Sequence, residues 1–168
     1  MTESEGRQVG GSAKTGVALI TGGVRGIGRA ISLALAQRGW TVAACYRKSE
    51  KEAAELNLML RNMGATALLV RTDVSLPKEA EALIRQVEDE YGRVDALINC
   101  IGSYHRVHLM QESVEGWHSM FNNNLHPVFY LTRAVAPGMI QRKRGRIINF
   151  SMVNADQHVG QPYITAHY

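Results

Sequence analysis

The chain has 168 residues, 45% hydrophobic and 20% charged, which is the balance of one soluble globular domain; a second full domain does not fit. A formal net charge of +4 on its own could suggest a nucleic acid partner, which the placement of the basic residues has to decide. No apolar run approaches the ~18–20 residues that cross a bilayer, so no membrane partner is expected.

Residues 1–13 are polar and glycine-containing with no apolar stretch. They read as a flexible tail rather than a signal peptide, and a cytoplasmic location is expected. The apolar run Val17-Ala18-Leu19-Ile20 predicts a first strand. It leads into Thr21-Gly22-Gly23-Val24-Arg25-Gly26-Ile27-Gly28 and then into a helical run from Arg29 to Ala36. Strand, glycine turn and helix N-terminus together make a phosphate cradle. Glycine serves where φ is positive or where backbone comes close to a ligand, and the first-turn N–H groups and helix dipole then face an anion. No Lys followed by Ser or Thr comes after the glycines, which disfavours a P-loop triphosphate site and points to a dinucleotide.

Gly39 is placed to end the first helix, and Thr41-Val42-Ala43-Ala44-Cys45-Tyr46 makes the second strand. Ser49 is placed to cap a helix running through Glu52 and Leu56 to Gly64. Ala67-Leu68-Leu69-Val70 is a third strand, ending at Asp73. Pro77 and Gly92 bracket a helix whose buried stripe is Ala80, Ala82, Leu83, Ile84 and Val87. Val94-Asp95-Ala96-Leu97-Ile98-Asn99 is the fourth strand and Arg146-Ile147-Ile148-Asn149-Phe150 the fifth. Between them one long helix is expected over about residues 114–141, kinked at Pro127, which frees a carbonyl at Asn123. The alternation predicts an α/β fold, a doubly wound, Rossmann-like parallel sheet.

Arg142-Lys143-Arg144-Gly145-Arg146 falls where the long helix ends, and cations there meet the negative end of its dipole. Without stacking aromatics or a reader helix beside it, no nucleic acid partner is expected. Cys45 and Cys100 fall at the ends of two strands separated by the first. Two strand spacings of ~4.8 Å exceed the reach of a disulfide, so both are expected reduced.

In a doubly wound sheet the ligand lies beyond the carboxyl ends of the strands. NAD sites place a carboxylate after the second strand, where this chain has Arg47 and Lys48. Each arginine alone is an ordinary solvated cation. Arg47 and Arg25 together offer guanidinium groups for a 2′-phosphate, so NADP(H) is expected over NAD. Gly102, after the fourth strand, lets backbone approach a ribose. His105 and His108, with Tyr104, lie in the following loop; without a third ligand at a recognised spacing no metal is expected. Trp117, Met120, Phe121, Phe129 and Leu131 read as helix-face packing.

Gly22, Gly26 and Gly28, in the order Thr-Gly-x-x-x-Gly-x-Gly, resemble the short-chain dehydrogenase/reductase family rather than the standard dinucleotide fingerprint. The resemblance runs over nearly all of residues 14–168, the span expected for the dinucleotide-binding domain, and is similar in general pattern to the 3-oxoacyl-carrier-protein reductase members. It implies an NADP(H)-dependent oxidoreductase acting on a small carbonyl or secondary alcohol substrate. The cofactor residues it implies are Thr21, Gly22, Arg25, Gly26, Ile27 and Gly28 in the turn, Arg47 after the second strand, and Asp73-Val74 beside the adenine. Asn99 and Gly102 complete the set, in Asn99-Cys100-Ile101-Gly102, which keeps the first and last residues of the family's Asn-Asn-Ala-Gly.

For the chemistry the resemblance implies an Asn, a Ser, a Tyr and a Lys. Asn124, in Asn124-Leu125-His126-Pro127-Val128-Phe129, matches the helix Asn that orders a proton-relay water. Ser151 stands near the substrate-orienting serine, which falls on Met152 when counted from Gly145. Either Ser151 serves one residue away or the hydroxyl is missing. Tyr168, in Ala166-His167-Tyr168, is the first candidate for proton donor, and Tyr163 is the second, with His167 where its lysine belongs. A phenol of pKa about 10 is a poor base at neutral pH unless a lysine lowers it. For Tyr168 that lysine would lie beyond the last residue.

The chain is therefore expected to be the N-terminal part of a longer fold, without its last strands and helices. The alternative to an enzyme is a truncated, non-catalytic nucleotide-binding protein. In the family the long helix also builds a subunit interface, so exposed apolar residues there would imply a homo-oligomer.

Overall fold

A computed structural model describes residues 15–151. Among them, strands β1 (Val17–Thr21), β2 (Thr41–Tyr46), β3 (Ala67–Arg71), β4 (Ala96–Asn99) and β5 (Arg146–Asn149) alternate with helices α1 (Gly26–Gln37), α2 (Glu50–Asn62), α3 (Pro77–Tyr91), α4 (Val114–Asn124) and α5 (His126–Gln141). All strand pairs are parallel, in the order β3-β2-β1-β4-β5. The order reverses at β1, which places the ends of β1, β2 and β4 around one crevice. The α/β doubly wound parallel sheet expected from the alternation is the one observed.

Successive side chains on a strand point to opposite faces, and the core divides accordingly. Val17 and Leu19 of β1, with Leu97 of β4, join Leu83, Ile84 and Val87 of α3 and Leu131 and Val135 of α5. Ala18 and Ile20, with Ile98, join Ala36 of α1 and Leu56 and Leu60 of α2. Because both faces are covered, β1 and β4 are buried along their whole lengths and read as continuous apolar runs. β5, at the edge, is exposed throughout.

The expected long helix is two helices. The chain breaks at Leu125 (φ −103°, ψ −50°), and Pro127 sits in the first turn of α5 rather than in a helix interior. Proline suits that place, where the N–H has no intrahelical acceptor. Trp117 and Phe129, expected to pack, are exposed, whereas Met120 and Leu131 are buried. Ser49 occupies the N-cap of α2 but its side chain makes no capping hydrogen bond. Arg142, just past α5, donates from Nη2 to the carbonyl of Val94 at 3.0 Å, so part of the basic cluster holds the fold together. Cys45 and Cys100 are both free thiols on either side of β1. Among the described residues, no helix is long and apolar enough to cross a membrane.

The amino end of the sheet is tied by one buried carboxylate. Asp95 Oδ2 accepts from Val17 N at 2.8 Å and from Arg93 Nε at 2.9 Å, and its carbonyl accepts from Arg146 N at 2.9 Å. Asp95→Ala leaves the Val17 N–H buried without an acceptor, and urea titration should show a loss of about 2 kcal/mol. Asp95→Asn keeps an oxygen for Val17, and most of that stability should remain.

Candidate functional site

A cleft of about 490 Å³ opens at the carboxyl ends of the strands. Its centre is the turn between β1 and α1. Gly22 (φ +61°) and Gly26 (φ +52°) hold left-handed conformations that side chains disfavour. Gly28 has a different reason to be glycine: a Cβ there would lie 2.4 Å from the carbonyl oxygen of Gly22. The helix begins at Gly26 rather than at Arg29, so Gly26, Ile27 and Gly28 form its first turn and line the cleft. The N-cap residue Arg25 makes no side-chain cap and the first turn holds no acidic residue. Its N–H groups therefore keep their capacity for an outside anion.

Arg47, Lys48 and Ser49, after β2, form one wall, and Thr72, Asp73, Val74 and Ser75, after β3, the next. Arg47 Nη1 lies 3.2 Å from Asp73 Oδ2. Asp73 Oδ1 accepts from Ser75 Oγ at 2.6 Å and from Ser75 N at 3.1 Å. Partial burial alone would raise the pKa of Asp73, but the Ser75 hydrogen bonds and the Arg47 guanidinium outweigh it and hold the carboxyl below its ordinary value. A carboxyl depressed in the folded chain adds stability at pH values above its unfolded pKa of about 3.9, and that contribution is lost as pH falls through the lower folded value.

Cys100, Ile101, Gly102 and Ser103, after β4, close the third side. Thr21 is wholly buried beneath them, its Oγ1 accepting from Cys100 N at 2.9 Å and Ile101 N at 3.1 Å. Asn124 Oδ1 accepts from Ser103 N at 2.8 Å while its Nδ2 donates to Met120 O at 2.9 Å. A Cβ on Gly102 would stand 2.7 Å from that Oδ1, which is why glycine belongs there. Asn99 is buried and donates from Nδ2 to Asn149 Oδ1 at 2.8 Å, while its own Oδ1 has no partner among the described residues.

Of the residues expected from the sequence, Gly22, Arg25, Gly26, Ile27, Gly28, Arg47, Asp73, Val74 and Gly102 line this one cleft. Thr21, Asn99 and Asn124 are not among the lining residues; Thr21 and Asn124 tie the backbone of residues 100, 101 and 103 in place, and Asn99 bonds the Asn149 side chain. Ser151 is exposed just beyond β5 and is not among the lining residues. Met152, Tyr163 and Tyr168 lie outside the described residues.

Sequence reading passed over the thiols and Ser75 as site residues, although each stands within five residues of a strand's carboxyl end. Burial pushes the Cys45 thiol up to about 12 and raises that of Cys100 as well, so neither is a thiolate at neutral pH. In the loop after β4, His105 Nε2 meets Glu112 Oε2 at 2.6 Å.

Residues 16–166 match the family described as short chain dehydrogenase. The chain is 36% identical over 137 residues to a 3-oxoacyl-[acyl-carrier-protein] reductase of Synechocystis sp., a match covering 82% of this chain and 56% of that protein. It is 37% identical over 142 residues to an acetoacetyl-CoA reductase of Allochromatium vinosum, covering 84% and 58%. A 3-oxoacyl-[acyl-carrier-protein] reductase of Vibrio harveyi is 38% identical over 146 residues, covering 86% and 58%. The chain thus spans little more than half the length of these curated relatives.

Proposed function

The chain belongs to the short-chain dehydrogenase family, and from that premise we propose that it binds NADP(H) in the cleft at the strand ends and interconverts a carbonyl compound and a secondary alcohol. One observation carries the cofactor reading: an uncapped α1 N-terminus, kept close to β1 by Gly28, shares its cleft with Arg25, Arg47 and Lys48. That donor set suits a diphosphate at the helix and a further phosphate at the arginines. In this reading Asp73 and Val74 border the adenine side, while Thr21 holds the backbone of residues 100 and 101 on the ribose side, next to Asn99 and Gly102.

When bound, NADP(H) supplies or accepts the hydride. The protein's share is to position the carbonyl and to move a proton. We assign Ser151 to the carbonyl oxygen and Tyr168 to the proton, with Tyr163 as the second candidate. Asn124 Nδ2 also donates to Met120 Sδ at 3.7 Å, and its Oδ1, which accepts from Ser103 N, keeps one lone pair that can accept from a relay water. The relatives' names share a 3-oxoacyl thioester, which makes that class the first substrate to test. Val114, Leu125, Phe129 and Ile140 are exposed on and between α4 and α5, which supports a homo-oligomer.

The test is a titration of the full chain with NADPH and NADH, followed by nucleotide fluorescence. NADPH should bind the tighter of the two. Arg47→Ala removes a charge-assisted contact and should weaken NADPH about tenfold with little change for NADH. Equal affinity for both in the native chain would end the phosphate reading. NADPH binding with no oxidation by an acetoacetyl thioester would favour the non-catalytic nucleotide binder.

A further inference from the structure

The turn after β3 is fixed from two sides before it meets Arg47. Glu79, in the first turn of α3, accepts through Oε2 from Asp73 N at 2.6 Å and from Thr72 Oγ1 at 3.1 Å. Ser75 holds Asp73 Oδ1 through its hydroxyl and its N–H. The remaining carboxylate oxygen, Oδ2, receives Arg47 Nη1 at 3.2 Å. Two residues 26 apart in sequence are thereby joined across the cleft wall between β2 and β3. Among the described residues, Nε and Nη2 of Arg47 have no hydrogen-bond partner.

We propose that Asp73 is a positioning residue for cofactor choice: by anchoring Nη1 it leaves the Nε–Nη2 edge of Arg47 for the 2′-phosphate of NADP(H). This rests on the NADP(H) reading above and deepens it. The Arg47 side chain is 53% exposed, so without an anchor it is free to sample solvent rotamers. Ordering one such side chain on binding weakens affinity by a factor of about two to ten. A guanidinium carries five donors in a rigid fork, so the phosphate need not displace Asp73 to be bound in bidentate fashion. The carboxylate's own charge is met by Arg47 and by two hydrogen bonds from Ser75.

The experiment measures NADPH and NADH dissociation constants for the full native chain, Asp73→Asn, Arg47→Ala and the double variant. Asp73→Asn should lower the NADPH to NADH affinity ratio about two- to tenfold, since any adenine contact of Asp73 serves both nucleotides alike, and far-UV circular dichroism reports that the variant is folded. In the Arg47→Ala background the same change should have no effect on the NADPH to NADH ratio. If Asp73→Asn does not fold, Ser75→Ala, which removes the hydroxyl bond to Oδ1 and leaves only the backbone N–H there, should lower the ratio in the same direction. Equal weakening of both nucleotides would make Asp73 a contact of the shared adenosine and overturn the proposal. So would tighter NADPH binding, the sign of a competing anion. A native chain that does not discriminate overturns the NADP(H) reading and this proposal together, whereas discrimination that survives Asp73→Asn overturns this proposal alone.

Discussion

Gly28→Ala is expected to weaken NADPH binding about 100-fold and to lower stability by about 3 kcal/mol. The added Cβ would stand 2.4 Å from the Gly22 oxygen, 2.9 Å from its carbon and 3.0 Å from Gly23 Cα. All three are backbone atoms, so no rotamer change relieves the contact and the first turn of α1 must move away from β1. Its N–H groups then miss the anion, and losing two charge-assisted bonds of about 1.5 kcal/mol each gives a factor of this size. Gly26→Ala is the control. Nothing lies within 4 Å of a Cβ at that position, so only the left-handed φ of +52° opposes it, at about 1–2 kcal/mol. Thermal melts and NADPH titrations of the two variants should separate close approach from conformation; equal effects would mean that crowding at Gly28 does not matter.

Leu97→Ala should destabilise the chain by about 2–5 kcal/mol, a large share of the 5–15 typical of a domain. Leu97 is fully buried, pairs in register with Leu19 and Ile147, and packs in the core beneath α3 and α5. Ile148→Ala removes a similar volume one residue out of phase on the neighbouring strand, where the side chain is 49% exposed. Its effect should be about 1 kcal/mol or less. Urea midpoints compare the two directly, and parity between them would contradict the assigned burial of the sheet.

What was legible in the sequence was local. The glycine spacing marked the turn between β1 and α1, and the short apolar runs marked the five strands within two residues at either end. Pairings between distant residues were not legible. Arg47 and Asp73 were each assigned to a ligand on their own, and nothing in their separate neighbourhoods showed that they meet. The motif around Asn124 points to a water, and nothing in it shows that the same carbonyl oxygen also accepts from Ser103, 21 residues earlier. Helical periodicity placed Trp117 and Phe129 on a face without telling whether anything covers that face, and both are exposed. The sequence predicts one long helix kinked at Pro127; the break at Leu125 lets proline begin a new helix instead.

The central place of β1 also orders the chain's own assembly. Pairing β1 with β2 closes a loop of about 24 residues, from Val17 to Thr41, whereas the bond from Val17 to Asp95 closes 78. The longer closure is entropically dearer by only about 1 kcal/mol, but it also requires residues that leave the ribosome later. The first three strands and their two helices hold the glycine turn, Arg47 and Asp73. The wall at residues 100–103 waits for β4. A nascent chain therefore holds the glycine turn and the Arg47–Asp73 pair before it has a cleft to enclose them.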